Sequence, residues 1–182
     1  MRKLLLICFS IIALSGCQSV PPLNFVVQDI QPSKHKIDAE LKSISVSLAS
    51  PSEKKGDIEA GMEVVPAFWK SALEDALAKN SIFKDDVTKK ANLSVKVLAL
   101  NAPSFGAEMK TISIAKYQII DRANGEILYS SEITSDGIVP FNYAFLGVVR
   151  ARESVNRAVQ NNIKKFLEQL DSFDVNKTYY GL

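Results

Sequence analysis

The side chains that could carry chemistry are few. Cys8 and Cys17 are the only thiols in the 182 residues, and His35 is the only imidazole. A protein-held zinc or similar ion needs several nitrogen or sulfur donors together, which a lone histidine does not supply. The acidic residues come nearest to a catalytic set. Asp85-Asp86, Glu132 and Asp136 could provide two carboxylates for glycan hydrolysis, one as general acid and one as base or nucleophile, if a cleft held them together. No Gly-x-Ser-x-Gly elbow and no phosphate-cradling glycine loop occurs. The residues therefore point to no catalytic set, no cofactor and no metal. A different chemistry is available at Cys17, whose thiol stands directly after Leu14-Ser15-Gly16.

That thiol has a context. Met1-Arg2-Lys3 is a basic start, and Leu4 to Leu14 is an apolar run broken only by Ser10. The run is too short to cross a hydrocarbon core of ~30 Å, so residues 1–16 read as a secretory signal peptide. With Cys17 after it, Leu14-Ser15-Gly16-Cys17 resembles the lipobox of bacterial lipoproteins. The resemblance implies cleavage before Cys17, a diacylglycerol on its thiol and acylation of the new amino terminus. Several chains matter because each buried CH₂ contributes ~0.8 kcal/mol, and one chain alone holds only reversibly. Gln18 and Ser19 follow, with no aspartate, which in this family favours the outer membrane over the inner. The expectation is a chain anchored to the outer membrane through Cys17, its body in the periplasm.

Composition then changes meaning. Without residues 1–16 the chain loses Arg2 and Lys3 and carries 20 basic and 20 acidic side chains. A neutral balance offers no concentrated basic footprint for nucleic acid. Cys17 becomes the single cysteine, so no disulfide can form within the chain, and stability must come from a packed core.

The elements follow from periodicity. Residues 17–40 read as the lipidated cysteine and a tether, with Pro21-Pro22 and Gln31-Pro32 punctuating Phe25-Val26-Val27, a stretch that either belongs to a flexible linker or packs on the body or on a partner. Residues 41–170 form a single domain. Ile44, Val46 and Leu48 alternate with Ser43, Ser45 and Ser47, giving a strand with one buried face. An exposed loop, 51–61, leads to a helix starting near Val64 or Val65 with Pro66 in its first turn. Its apolar stripe is Val65, Phe68, Trp69, Ala72, Leu73, Ala76 and Leu77, and it stops near Asn80. Leu93, Val95, Val97 and Ala99 mark a second strand. Residues 109–121 make a third, with isoleucines on both faces. Asn124-Gly125 predicts a primed hairpin turn into a fourth strand, with Ile127, Tyr129 and Ile133 inward, ending at Asp136-Gly137. A long helix runs from Asn142 or later to Leu170, with Val148, Val155, Val159, Asn162 and Phe166 on one side. Asn162 reads as a half-exposed edge position or as a buried polar group with a partner, the edge being the commoner case, and Arg150, Glu153 and Arg157 read as a surface charge ladder. Residues 171–182 read as a loose tail. The order β-α-β-β-β-α implies an α+β (α/β) fold, a mixed sheet of about four strands with both helices on one face.

Residues 41–170 resemble a loose group of bacterial envelope lipoproteins: YajG-like proteins, auxiliary lipoproteins of ABC transport systems, and the amino-terminal TolB-like, CsgG-related domain. The matching positions are Pro66 to Leu77 before Ile82-Phe83, Tyr117 to Asp121 leading through Asn124-Gly125-Glu126 to Tyr129, and Ala158 with Asn162-Ile163. The resemblance implies a non-enzymatic module that binds other envelope components, with a protein partner alongside the membrane. Peptidoglycan or glycolipid binding is the alternative, and an envelope enzyme a third. The surface for a partner is Ile138 to Gly147, where Phe141, Tyr143, Phe145 and Leu146 make the stretch too apolar for an uncovered loop. It either folds back on the core or faces a partner.

Overall fold

The computed structural model describes residues 20–58 and 61–173 and the backbone of Tyr179–Tyr180; residues 1–19, with Cys17 among them, lie outside the described residues. The elements are β1 (Glu40–Leu48), α1 (Val65–Asn80), β2 (Lys90–Asn101), β3 (Met109–Asp121), β4 (Ile127–Val139), a 3₁₀ turn (Phe141–Tyr143), α2 (Gly147–Leu170) and a two-residue β5 (Tyr179–Tyr180). The sheet order is β1-β2-β3-β4-β5, with β1 parallel to β2, an antiparallel β2-β3-β4 meander, and β5 parallel to β4 at the edge. Both helices pack on one face, giving the expected four-stranded mixed sheet of α+β type, extended by β5.

Alternation accounts for the strands. In β3 the odd-numbered residues from Met109 to Asp121 are buried, and Ile112, Ile114 and Ile120 sit half-buried on the outer face. Bulges at Leu98 and Leu128 interrupt the register. The second places Tyr129 inward but leaves Ile127 only half-buried, unlike the expected inward set. The hairpin also differs from the expected primed turn. Only Gly125 has positive φ, 77°, while the side-chain oxygens of Asp121 and Asn124 accept from the N–H groups of Ala123 and Glu126 at 2.7 and 2.9 Å. These Asx contacts close a longer loop without needing a left-handed Asn124. Helix α1 ends at Asn80 as expected, and the left-handed residue is the next one, Ser81 (φ 52°), whose N–H bonds to the Leu77 carbonyl.

The core carries a polar spine. Trp69 Nε1 donates to Tyr117 Oη (3.2 Å), and Tyr117 donates to Asn162 Oδ1 (2.9 Å). Asn162 Nδ2 donates to the Ile133 carbonyl (2.9 Å) and to Ser113 Oγ (3.2 Å). Asn162 is thus fully buried instead of lying at a half-exposed edge. Its amide finds partners on β3 and β4, so its burial leaves no orphan group. Gly137 allows α2 to approach β4, since a Cβ there would lie 2.2 Å from the Ser154 carbonyl oxygen and 2.3 Å from Ala158 N.

The largest departure concerns residues 20–39. The stretch expected to be a tether is a strap that packs on the domain. Asn24 accepts at its carbonyl from Gln160 Nε2 (2.8 Å) and donates from its N–H to Asn156 Oδ1 (2.9 Å). Ser33 Oγ donates to Asp171 (2.6 Å), and His35 Nε2 pairs with the Phe173 carbonyl (2.8 Å). The strap therefore runs alongside α2 in the same direction. Leu23, Phe25, Val27, Ile37 and Ala39 join the core, and Phe25 meets Phe68 and Trp69 of α1 edge-on at 6.4 and 6.3 Å. It fills the groove between the two helices, which is why its apolar residues cannot stay in solvent. The start of the expected loose tail is also fixed. Phe173 is buried against Tyr129 at 5.3 Å between ring centres.

Candidate docking surface

The predicted aromatic stretch lies at one end of the molecule, where the turn after β4 enters α2. None of its four singled-out residues folds back into the core. Phe141 is 59%, Tyr143 46%, Phe145 84% and Leu146 39% exposed. Two features bring this about locally. The β4 strand runs to Val139, past the expected stop at Gly137, and Pro140 then launches the 3₁₀ turn. Helix α2 starts only at Gly147, so Phe145 and Leu146 stay outside it.

The exposed residues are held firmly. Arg150, 4% exposed, donates from Nη1 to the carbonyls of Ala144 (2.7 Å) and Phe145 (2.9 Å) and from Nη2 to that of Gly106 (3.0 Å). Its guanidinium also sits 4.9 Å from the centre of the Phe141 ring, and Arg157 lies 5.1 Å from that of Tyr143. Arg150 thus leaves the charge ladder expected of it, while Arg157 and Glu153 form their pair at 2.9 Å. A guanidinium carries five donors in a rigid fork, so one side chain fixes two loops at once.

That fork exposes a part of the surface that periodicity did not single out. The β2–β3 turn, clamped through Gly106, carries Phe105, the most exposed large apolar side chain described, at 88%. Val148, expected inward in the helix stripe, is 55% exposed, and its neighbour Val149 is the buried one. Between the turn and α2 lies an open cavity of about 510 Å³, lined by Met62, Phe105, Met109, Val148, Arg150 and Val155 among others. An isolated aromatic in a turn gives no periodic signal, so only Phe105's composition could have drawn notice.

The candidate carboxylates are not brought together. Glu132 pairs with Lys55 at 2.7 Å, and Asp136 with Lys110 at 3.0 Å, which holds the Asp136 carboxyl below its usual range. Asp85 lines a separate groove with Leu41 and Phe83. Among the described residues no group of three His, Cys, Asp or Glu side chains could hold a metal, and no helix is long and apolar enough to cross a membrane.

No family model matches the chain, and no curated protein matches its sequence. Solved structures are similar to it. A dodecameric PelC variant from Paraburkholderia phytofirmans matches with a TM-score of 0.50 at 14% identity, over 79% of this chain and 93% of that one. A Xanthomonas campestris protein of the DUF330 family matches with a TM-score of 0.49 at 10% identity, over 84% and 96%. A minor lipoprotein from Acinetobacter baumannii matches with a TM-score of 0.44 at 14% identity, over 72% and 93%. At 14% identity the similarity to the PelC variant is one of fold.

Proposed function

We propose that this chain is a lipid-anchored, non-catalytic lipoprotein of the bacterial envelope. It is held to the outer membrane through Cys17 with its domain facing the periplasm. There it serves as an accessory or binding module for an envelope assembly or transport system. The observation that carries the binding role is the cluster of exposed aromatics at Phe141, Tyr143 and Phe145, fixed in place by a buried arginine. Apolar surface that is rigidly displayed costs hydration free energy unless something covers it. The lipobox-like Leu14-Ser15-Gly16-Cys17 and the resemblance of residues 41–170 to envelope lipoproteins support the anchor and the compartment. That a chain of the same fold, PelC, forms a dodecamer fits a domain that works within an assembly.

Labelled palmitate fed to expressing cells should enter the wild-type protein and not Cys17→Ala; label persisting in the variant overturns the anchor. Phe141→Ser with Phe145→Ser should sharply reduce in-cell crosslinking to envelope components and leave the melting temperature nearly unchanged. A large fall in melting temperature would assign these side chains to the core instead.

A further inference from the structure

The strap gives the aromatic end a direction. Its hydrogen bonds place Asn24 beside Gln160 and Asn156, and Pro22, whose carbonyl accepts from Asn156 Nδ2 at 3.4 Å, beside Asn156. Followed backwards, the chain moves toward the amino-terminal end of α2. From Asn156 to Gly147 the helix rises about 14 Å at 1.5 Å per residue. From Pro22 to Cys17 the chain spans up to about 17 Å at its extended length. Val20, the first described residue, is itself 42% exposed. The carrier of the lipid is therefore within reach of the end of the molecule that displays Phe105, Phe141, Tyr143, Phe145, Leu146 and Val148.

From this we infer that the aromatic end of the domain rests on the lipid bilayer, with Phe105 and Phe145 entering the interfacial zone. The inference builds on the anchor reading above and names the partner of that same surface. Three observations select a lipid surface as the occupant. The anchor leaves only residues 17–22 between the lipid and Leu23, the first residue of the packed core, so the domain stands no more than about 20 Å from the bilayer at the chain's extended length. The two most exposed aromatics among the described residues lie on loops joined by one guanidinium, so their positions are fixed relative to one another. The remaining side chains mix aromatic, aliphatic and arginine groups, the composition suited to the headgroup boundary, where one side of a residue is apolar and the other wet.

The test uses the full chain, lipidated and reconstituted into vesicles of phosphatidylethanolamine and phosphatidylglycerol. Trp69 is the only tryptophan and is fully buried, so an indole introduced by Phe105→Trp or Phe145→Trp reports on its own surroundings. Brominating the acyl chains should quench each added indole several-fold more than Trp69 in the wild type. As a second measurement, Phe105→Ser with Phe145→Ser in a Cys17→Ala background should weaken vesicle co-sedimentation about tenfold relative to Cys17→Ala alone, since two apolar side chains no longer enter the lipid. Added indoles that stay unquenched in protein still held to vesicles by its lipid overturn the docking face and leave the anchor reading intact. Absence of palmitate from the wild type removes the anchor and the inference together. Unquenched added indoles, together with a wild-type oligomer that Phe145→Ser dissolves, assign the surface to a second copy of the chain and likewise overturn the inference.

Discussion

Tyr117 shows how much one hydroxyl does in this core. It accepts from Trp69 and donates to Asn162, joining α1 and α2 across β3, and its ring stacks on Phe166 at 4.2 Å between centres. Burial pushes its phenol well above the ordinary range, so it stays neutral and keeps its proton to donate. Tyr117→Phe preserves the stack but strands Trp69 Nε1 and Asn162 Oδ1 without water. The expected cost is about 1–3 kcal/mol, read as a lower denaturation midpoint with an unchanged slope. Glu53 makes the opposite case at the surface. Hydrogen bonds from Lys96 and from Ser50 hold its carboxyl down at about 2, against an ordinary value of 4.5. A lowered folded value means that its contribution is fully present above pH 4.5 and is lost as pH falls through about 2. Between those limits the 50–55 loop should loosen from β2. Amide exchange of that loop should accelerate over this window in the wild type and be fast throughout in Glu53→Gln.

At the scale of elements, the strap is the part least legible in the sequence. Leu23, Phe25 and Val27 stand two apart between prolines, which is what a linker with incidental apolar residues also looks like. Their burial depends on a groove whose walls, α1 and α2, come from residues far along the chain. Strands β2 and β3 were legible because each keeps a polar or half-exposed outer row against a buried inner one. Asn162 was not, because its partners are supplied by β3 and β4, which no pattern along α2 reveals. The strap's standing as core can be measured directly. Phe25→Ala removes a ring that is 1% exposed and touches Trp69, and should cost about 3–5 kcal/mol in denaturant unfolding. A true tether would tolerate the change within experimental error.

At the scale of the whole molecule the two ends differ. The end carrying the β3–β4 hairpin is closed by Asx contacts and charged residues such as Asp121 and Glu126. The opposite end gathers three separate pieces: the β2–β3 turn, the 3₁₀ turn and the start of α2. Sequence reading found the second of these from its aromatic content. The rest was hidden because it is assembled by Arg150, whose spacing from Glu153 and Arg157 imitates an ordinary solvated ladder. A polarised domain of this kind has an orientation relative to whatever holds it.

The strap also bears on how the fold is completed. Asn24 and Asn156 are bonded across 132 positions of sequence, and His35 and Phe173 across 138. Contacts of such separation raise contact order and come late, because the loop between them must first be closed. The earliest part of the domain to be synthesised therefore waits for the last helix before it can be covered. Until α2 exists, Leu23, Phe25 and Val27 have no groove to enter, and the nascent chain carries them uncovered. The domain closes its first and last segments in a single act, so a chain cut short before α2 would leave its own beginning unfolded.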